Sequence, residues 1–235
     1  MEGAAFFTRA LSRERSCCSV FRLVVQFLEN WNQRMSTILS PIDSHVPPNF
    51  IVDVHSVLTG EDFDQLVRDN PELRMELTAT GELILMSPTG SKTGLRNAEL
   101  NRQLGNWAKA NRSGVVFDSS TLFVLPNGAR RSPDASWITR ERWEALTAEE
   151  QEGFAPLCPD FVIDLRSRSD NLPPLEDKMI EYVANGALMA SLIDPLRKRV
   201  YIYRPSRTAE ILEDPDTVSG DPELPGFKLD VRELW

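Results

Sequence analysis

Asp164 stands inside Phe161-Val162-Ile163-Asp164-Leu165-Arg166, a run that otherwise reads as buried core up to Leu165. An ionised carboxylate taken out of water needs a metal, a cation or a proton beside it, because bare burial costs several kcal/mol or more. A second acid, Asp134, follows Ser132-Pro133. A lysine, Lys178, lies in the helix-like stretch Leu175 to Tyr182, and a third acid, Glu76, sits in Arg74-Met75-Glu76-Leu77. Two acids and a lysine are what metal-dependent hydrolysis of a phosphodiester requires. The acids supply hard oxygen ligands for a divalent cation, and the ammonium meets negative charge as it builds on the phosphate.

Each residue also has a plain structural reading. Asp164 can form an ion pair with Arg166 or a lysine at a strand end. Asp134 can cap a turn after Ser-Pro, where Pro133 lacks an amide donor and fixes φ. Lys178 can run its stem along an apolar stripe and expose its charge. Glu76 can be an ordinary exposed hairpin glutamate. Arg131 and Arg166 are candidates for phosphate contacts and, equally, for structural ion pairs.

The elements that must position these groups follow from pattern. On a strand, Val162, Asp164 and Arg166 share one face, and Phe161, Ile163 and Leu165 share the other. Leu175, Lys178 and Tyr182 recur at i, i+3 and i+7, which sets the lysine beside the apolar stripe of a helix. That helix is expected from Leu175 to Asn185, with Gly186 ending it. Thr59 caps a helix carrying Phe63, Leu66 and Val67. Arg74 to Leu77 and Glu82 to Met86 flank Thr78-Ala79-Thr80-Gly81 as a hairpin. A helix follows from about Lys92 to Ala110, with Leu100, Leu104, Trp107 and Ala108 on one side. Strands are expected at Val115 to Asp118, Thr121 to Leu125, Ala135 to Ile138, Phe161 to Leu165, Met189 to Ile193 and Val200 to Tyr203. A charged helix is expected over Arg140 to Glu152, with Trp143 and Leu146 turned inward. This order predicts a mixed α/β domain built on one central sheet.

Composition bounds the rest. The chain has 235 residues, 41% hydrophobic and 26% charged, with a formal net charge of −9. Mean hydropathy is −0.29. No run approaches the roughly 18 apolar residues of a membrane span. The acidity argues against a surface that tracks nucleic acid over its whole extent, and is compatible with a local acidic metal site. Cys17, Cys18 and Cys158 have no metal-ligand spacing, so free thiols in a reducing cytoplasm are expected. Nothing in the sequence converges on His45 or His55, which leaves little support for a small-molecule hydrolase using Asp and His. Residues 1–34 hold five arginines and three acids and read as an atypical extension upstream of Met35. Residues 35–54 read as a Pro-rich leader, 55–205 as the catalytic domain, and 206–235 as a strand and tail packed on it.

From Glu76 to Pro205 the chain resembles the bacterial restriction endonuclease family called Uma-two, within the PD-(D/E)XK nuclease superfamily. The resemblance rests on Met75-Glu76-Leu77, Gly81-Glu82-Leu83, Ser87-Pro88-Thr89, Trp107 and Leu125-Pro126-Asn127-Gly128. It continues through Ser132-Pro133-Asp134-Ala135-Ser136, Pro159 to Ser167, Lys178 to Tyr182, Asn185-Gly186 and Leu192-Ile193-Asp194-Pro195. It implies a restriction-endonuclease-like fold and Mg²⁺- or Mn²⁺-dependent cleavage of DNA. Asp134 takes the aspartate of the "PD" element, and Asp164 takes the (D/E) position, where the family usually carries glutamate. Lys178 matches the family's helix lysine, and Glu76 matches the additional first-motif acid. Asp134, Asp164 and Glu76 are the expected metal ligands, with Lys178 catalytic beside them. A homodimer is plausible by symmetry, since cutting both strands takes two sites. The alternative is a nuclease-fold module of weak or no activity that binds nucleic acid or a protein partner.

Overall fold

The computed structural model describes residues 49–54 and 58–235. The 1–34 extension, His45, His55, Cys17 and Cys18 lie outside them. In chain order the elements are β1 (Asn49–Asp53), α1 (Gly60–Asp69), β2 (Arg74–Leu77), β3 (Glu82–Met86), α2 (Ser91–Asn111), β4 (Gly114–Asp118), β5 (Phe123–Val124), β6 (Arg130–Arg131) and β7 (Ala135–Thr139). There follow α3 (Arg140–Glu144), α4 (Ala148–Glu152), β8 (Phe161–Leu165), α5 (Leu172–Ala184), β9 (Met189–Asp194), β10 (Arg199–Tyr203), β11 (Glu210–Glu213), β12 (Thr217–Ser219) and β13 (Lys228–Asp230). A 3₁₀ turn spans Arg232–Leu234.

The mixed α/β architecture expected from the sequence is present. The central sheet has six strands in the order β11-β10-β9-β8-β7-β4. All its pairings are antiparallel except β8 with β9. Parallel neighbours need a crossover, and α5 is that crossover. It packs back on β9 and β10, which carries Lys178 over the sheet.

The alternation read on β8 separates two cores. Phe161, Ile163 and Leu165 join Leu100, Leu104 and Ala108 of α2. Val162 joins Met179 and Tyr182 of α5, with Ala190, Leu192 and Tyr201. Asp164 therefore belongs by register to the α5 face. Val218, Leu224, Phe227, Leu229, Val231 and Leu234 complete the α2-side core, so residues beyond 206 supply core side chains.

A second sheet of five strands, ordered β1-β3-β2-β6-β5, stands beside the first. Gly81 turns the β2–β3 hairpin at φ +85°, a conformation that favours glycine. Three expectations need correction. The leader expected to lack regular structure runs into β1, which pairs along β3 from Asn49↔Met86 to Asp53↔Glu82; Phe50-Ile51-Val52 suits an edge strand without a long alternating pattern. The helix expected over Arg140 to Glu152 is two short helices, because Thr147 forms a capping box with Glu150 and restarts the chain there. The strand expected from Thr121 to Leu125 shrinks to Phe123–Val124.

Gly114 opens β4 opposite Thr139, and a methyl group there would run into the carbonyl of Ile138 and the indole of Trp137. Gly114→Ala is expected to destabilise the fold by about 2 kcal/mol. Thermal melts of the two proteins check this, with a Tm drop of roughly 4–8 °C expected.

Candidate active site

The site forms where the chain leaves the smaller sheet and enters the central one. β6 ends at Arg131 and β7 begins at Ala135, so Ser132-Pro133-Asp134 crosses between them. Two registers aim the acids at this crossing. On the central sheet, Ala135 pairs with Ile163 and Ser136 with Val162; one step further outward sets Asp134 opposite Asp164. On the smaller sheet, Leu77 pairs with Arg130, and the next step sets Glu76 opposite Arg131.

The two aspartates replace the ladder where it ends. Asp134 Oδ2 accepts from the Leu165 amide at 2.8 Å, and Asp164 Oδ1 accepts from the Asp134 amide at 3.2 Å. Each carboxylate thus takes a main-chain donor from the opposite strand. Asp134 Oδ1 accepts from Asn97 Nδ2 at 2.9 Å, and the Asp134 carbonyl accepts from Asn101 Nδ2 at 2.9 Å. Both asparagines come from α2.

Lys178 stands on the other side. Its Nζ is 2.9 Å from Glu76 Oε1, 2.9 Å from Asp164 Oδ2 and 3.3 Å from the Ser132 carbonyl. The Asp164 contact is an ion pair rather than a well-aligned hydrogen bond: Oδ2 is buried and has no hydrogen-bond partner. Glu76 also accepts from the Ser132 amide at 2.9 Å and from Arg131 Nη1 at 3.1 Å. Arg131 Nε reaches Glu181 Oε2 at 2.6 Å.

All four expected site residues therefore meet, but in a particular order. Asp134 and Asp164 are direct neighbours, and Lys178 lies between Asp164 and Glu76. Glu76 is almost fully buried, at 2% exposure. The plain alternative for Glu76, an ordinary exposed hairpin glutamate, gives way to a buried counter-ion. Arg131 and Arg166 resolve as structural ion pairs, the latter 2.6 Å from the fully buried Asp194. Cys158 is buried and free, its thiol pushed up to about 12 by burial, so it is inert as a nucleophile.

The sequence gives no role to Asn97 or Asn101, and Glu181 enters it only within the Lys178 to Tyr182 motif. The asparagines had a usable signal. Asn97, Asn101, Leu104 and Ala108 recur at helical spacing, so two amides lie on the buried side of α2. A polar side chain on an apolar stripe asks for a partner.

The electrostatics follow from burial opposed by pairing. Burial and the neighbouring Asp164 charge push the Asp134 carboxyl up to about 6, against the Leu165 amide, the Asn97 amide and the Lys178 charge. Burial would raise Glu76 as well, but Lys178 and Arg131 outweigh it and hold Glu76 below the usual carboxylate range. Burial works against the charge on Lys178, and Asp164 and Glu76 reverse that and raise it. Tyr182 is driven well above its ordinary value by burial and by the acids, so its hydroxyl stays protonated.

Four carboxylates, Glu76, Asp134, Asp164 and Glu181, face two cations, Arg131 and Lys178. The surplus is two negative charges, the charge of one divalent cation. Among the described residues no three His, Cys, Asp or Glu side chains gather into a metal-binding group. The two aspartates are a donor set of the kind Mg²⁺ accepts, since that ion keeps several waters and takes one or two carboxylates. On charge and ligand type the residues fit such an ion.

Two outcomes are expected of the protein held in a chelator. Because the folded carboxyl of Asp134 titrates near 6 against an ordinary value of 3.8, the folded state binds the extra proton between those values. Stability from this group is then highest below pH 4 and falls as pH rises to about 6. Asp134→Asn should exceed wild type by on the order of 2 kcal/mol at pH 7, and the difference should close towards pH 4. Lys178→Met, which strands Glu76 and Asp164, should lose about 3 kcal/mol. Urea unfolding of the three proteins from pH 4 to 7 tests both.

The sequence profile of the Uma2 family, described as "Putative restriction endonuclease", matches residues 61–232. The fold is similar to a crystal structure of "a putative nuclease belonging to DUF820" from Anabaena variabilis. The TM-score is 0.64 at 20% identity, over 75% of this chain and 97% of that one. A comparison with curated proteins finds no match. Among the described residues no helix is long and apolar enough to cross a membrane.

Proposed function

Because the chain belongs to the Uma2 family, we propose that it is a divalent-cation-dependent endonuclease that hydrolyses phosphodiester bonds in DNA. The observation that carries this reading is the juxtaposition of Asp134, Asp164 and Lys178 across a strand end, with the Lys178 ammonium 2.9 Å from Asp164. In this reading Asp134 and Asp164 offer their oxygens to Mg²⁺ or Mn²⁺. When bound, such an ion lowers the pKa of a water in its shell and offsets charge on the phosphate.

The rest of the chemistry belongs to the side chains. Lys178 is pre-oriented by Glu76, which itself is held by Arg131 and the Ser132 amide. The longest contact of the ammonium, 3.3 Å to the Ser132 carbonyl, is the one it can exchange for a phosphate oxygen or an attacking water. A donor preset at that point stabilises charge without reorganising. Glu76 lies across Lys178 from Asp164, so its route to the cation is through the ammonium or through a water. Cleavage of both strands would take two such sites, which a pair of chains supplies.

A competing reading is a module that binds nucleic acid without cutting it. It is favoured by the full occupation of Lys178, whose ammonium already has three protein oxygens around it.

Purified protein incubated with supercoiled and with single-stranded DNA, with Mg²⁺ or Mn²⁺, separates the two. The nuclease reading expects cleavage that falls by about 10²-fold or more in Asp134→Ala and in Lys178→Ala. If neither wild type nor variants cut, and Asp134→Ala leaves Mn²⁺ binding unchanged, the nuclease reading fails.

A further inference from the structure

Asn97 has an amide whose two ends are in unequal circumstances. Nδ2 donates to Asp134 Oδ1 at 2.9 Å, while Oδ1 is buried and has no hydrogen-bond partner. Exchanging the two ends would set oxygen against the Asp134 oxygen, two acceptors at hydrogen-bond distance, so the orientation is fixed by chemistry. A buried acceptor of this kind wants a donor or a cation. Three amides at the Asp134 crossing are already committed: the Leu165 amide to Asp134, the Asp134 amide to Asp164, and the Asn101 amide to the carbonyls of Asn97 and Asp134.

We propose that the Asn97 side-chain oxygen completes the divalent-cation site as a neutral ligand beside Asp134 and Asp164. The inference rests on the reading of those two aspartates as the cation-binding pair. Its grounds are placement and oxygen chemistry. Oδ1 and Nδ2 share one carbon, and Nδ2 touches the Asp134 carboxylate, so Oδ1 is a near neighbour of that carboxylate. Side-chain amide oxygens are among the hard ligands that cations of this class accept. The oxygen set becomes two carboxylates and one amide, drawn from β8, from the entry to β7 and from α2, so the helix on the far face of the sheet takes part in the site. Asn97 also anchors Asp134 through its nitrogen, and the experiment has to separate the two roles.

Mn²⁺ binding to the full chain, followed by the loss of the free-ion electron paramagnetic resonance signal at pH 7.5, separates them. Asn97→Ala removes both ends of the amide. Asn97→Asp loses the donor but keeps an oxygen and adds charge. Circular dichroism melts in chelator verify folding of each variant. The expected result is a ten- to hundredfold weaker affinity in Asn97→Ala, and affinity in Asn97→Asp equal to wild type or tighter. Unchanged affinity in Asn97→Ala overturns the inference. Equal weakening in both variants also overturns it, since the amide would then act only by holding Asp134. Should Asn97→Ala not fold, Asn97→Asp decides alone: affinity below wild type overturns the inference. A different pattern, wild type that binds no Mn²⁺ at all, removes the underlying reading of the aspartate pair as well.

Discussion

The three residues Ser132, Pro133 and Asp134 cross from one sheet to the other outside any strand ladder, and their polar groups must still be paired. Side chains do the pairing. Glu76 takes the Ser132 amide, Lys178 the Ser132 carbonyl, Asp164 the Asp134 amide and Asn101 the Asp134 carbonyl. An unpaired main-chain group there would carry its full desolvation penalty, about 1–3 kcal/mol each. The charged cluster therefore ties the two sheets together at this crossing, beside the apolar packing of Phe123 against Ile138 and Val162. The residues suited to chemistry are the same ones that close the fold at this point, and few substitutions will separate activity from stability.

The cluster is also unbalanced. Lys178 and Arg131 neutralise only part of four carboxylates, and the strain falls on Asp134, whose carboxyl is pushed up to about 6 by burial and by Asp164. A buried set of charges is tolerated when each has partners, and it becomes costly where one does not. The imbalance is expected to make the protein sensitive to pH, and in the proposed reading it is where a divalent cation would be held. Elsewhere several arginines are committed within the protein: Arg130 to Asp64, Arg142 to Asp160, Arg166 to Asp194, Arg204 to Glu223. With a net charge of −9, the chain as a whole does not attract phosphates, so in a nuclease reading contact with DNA would fall to local basic side chains.

Much of the fold was legible because it is built from long, regular elements. The helix over Lys92 to Ala110, the hairpin around Gly81 and the run from Phe161 to Leu165 each carry their own period. Short elements did not. β5 and β6 have two residues each, too few to express any alternation, and they exist only because β2 is there to pair with β6. The break between α3 and α4 turns on one threonine cap inside a stretch of good helix formers, where local capping outcompetes propensity.

Sequence by itself determined which residues were chemically out of place: Asp164 in an apolar strand, Asp134 after Ser-Pro, Lys178 beside an apolar helical stripe. Those oddities are local, because burial is written in the neighbours along the chain. Only the tertiary structure decided how they are wired. Lys178 bridges to Glu76, 102 residues away, and Asp134 to Asn97, 37 residues away. Such pairs depend on strand register and on which face of the sheet each helix covers, and neither is encoded in the spacing of any one segment. The same dependence turned Glu76 from a surface hairpin residue into the buried counter-ion of a lysine, since its burial comes from the second sheet standing against the first.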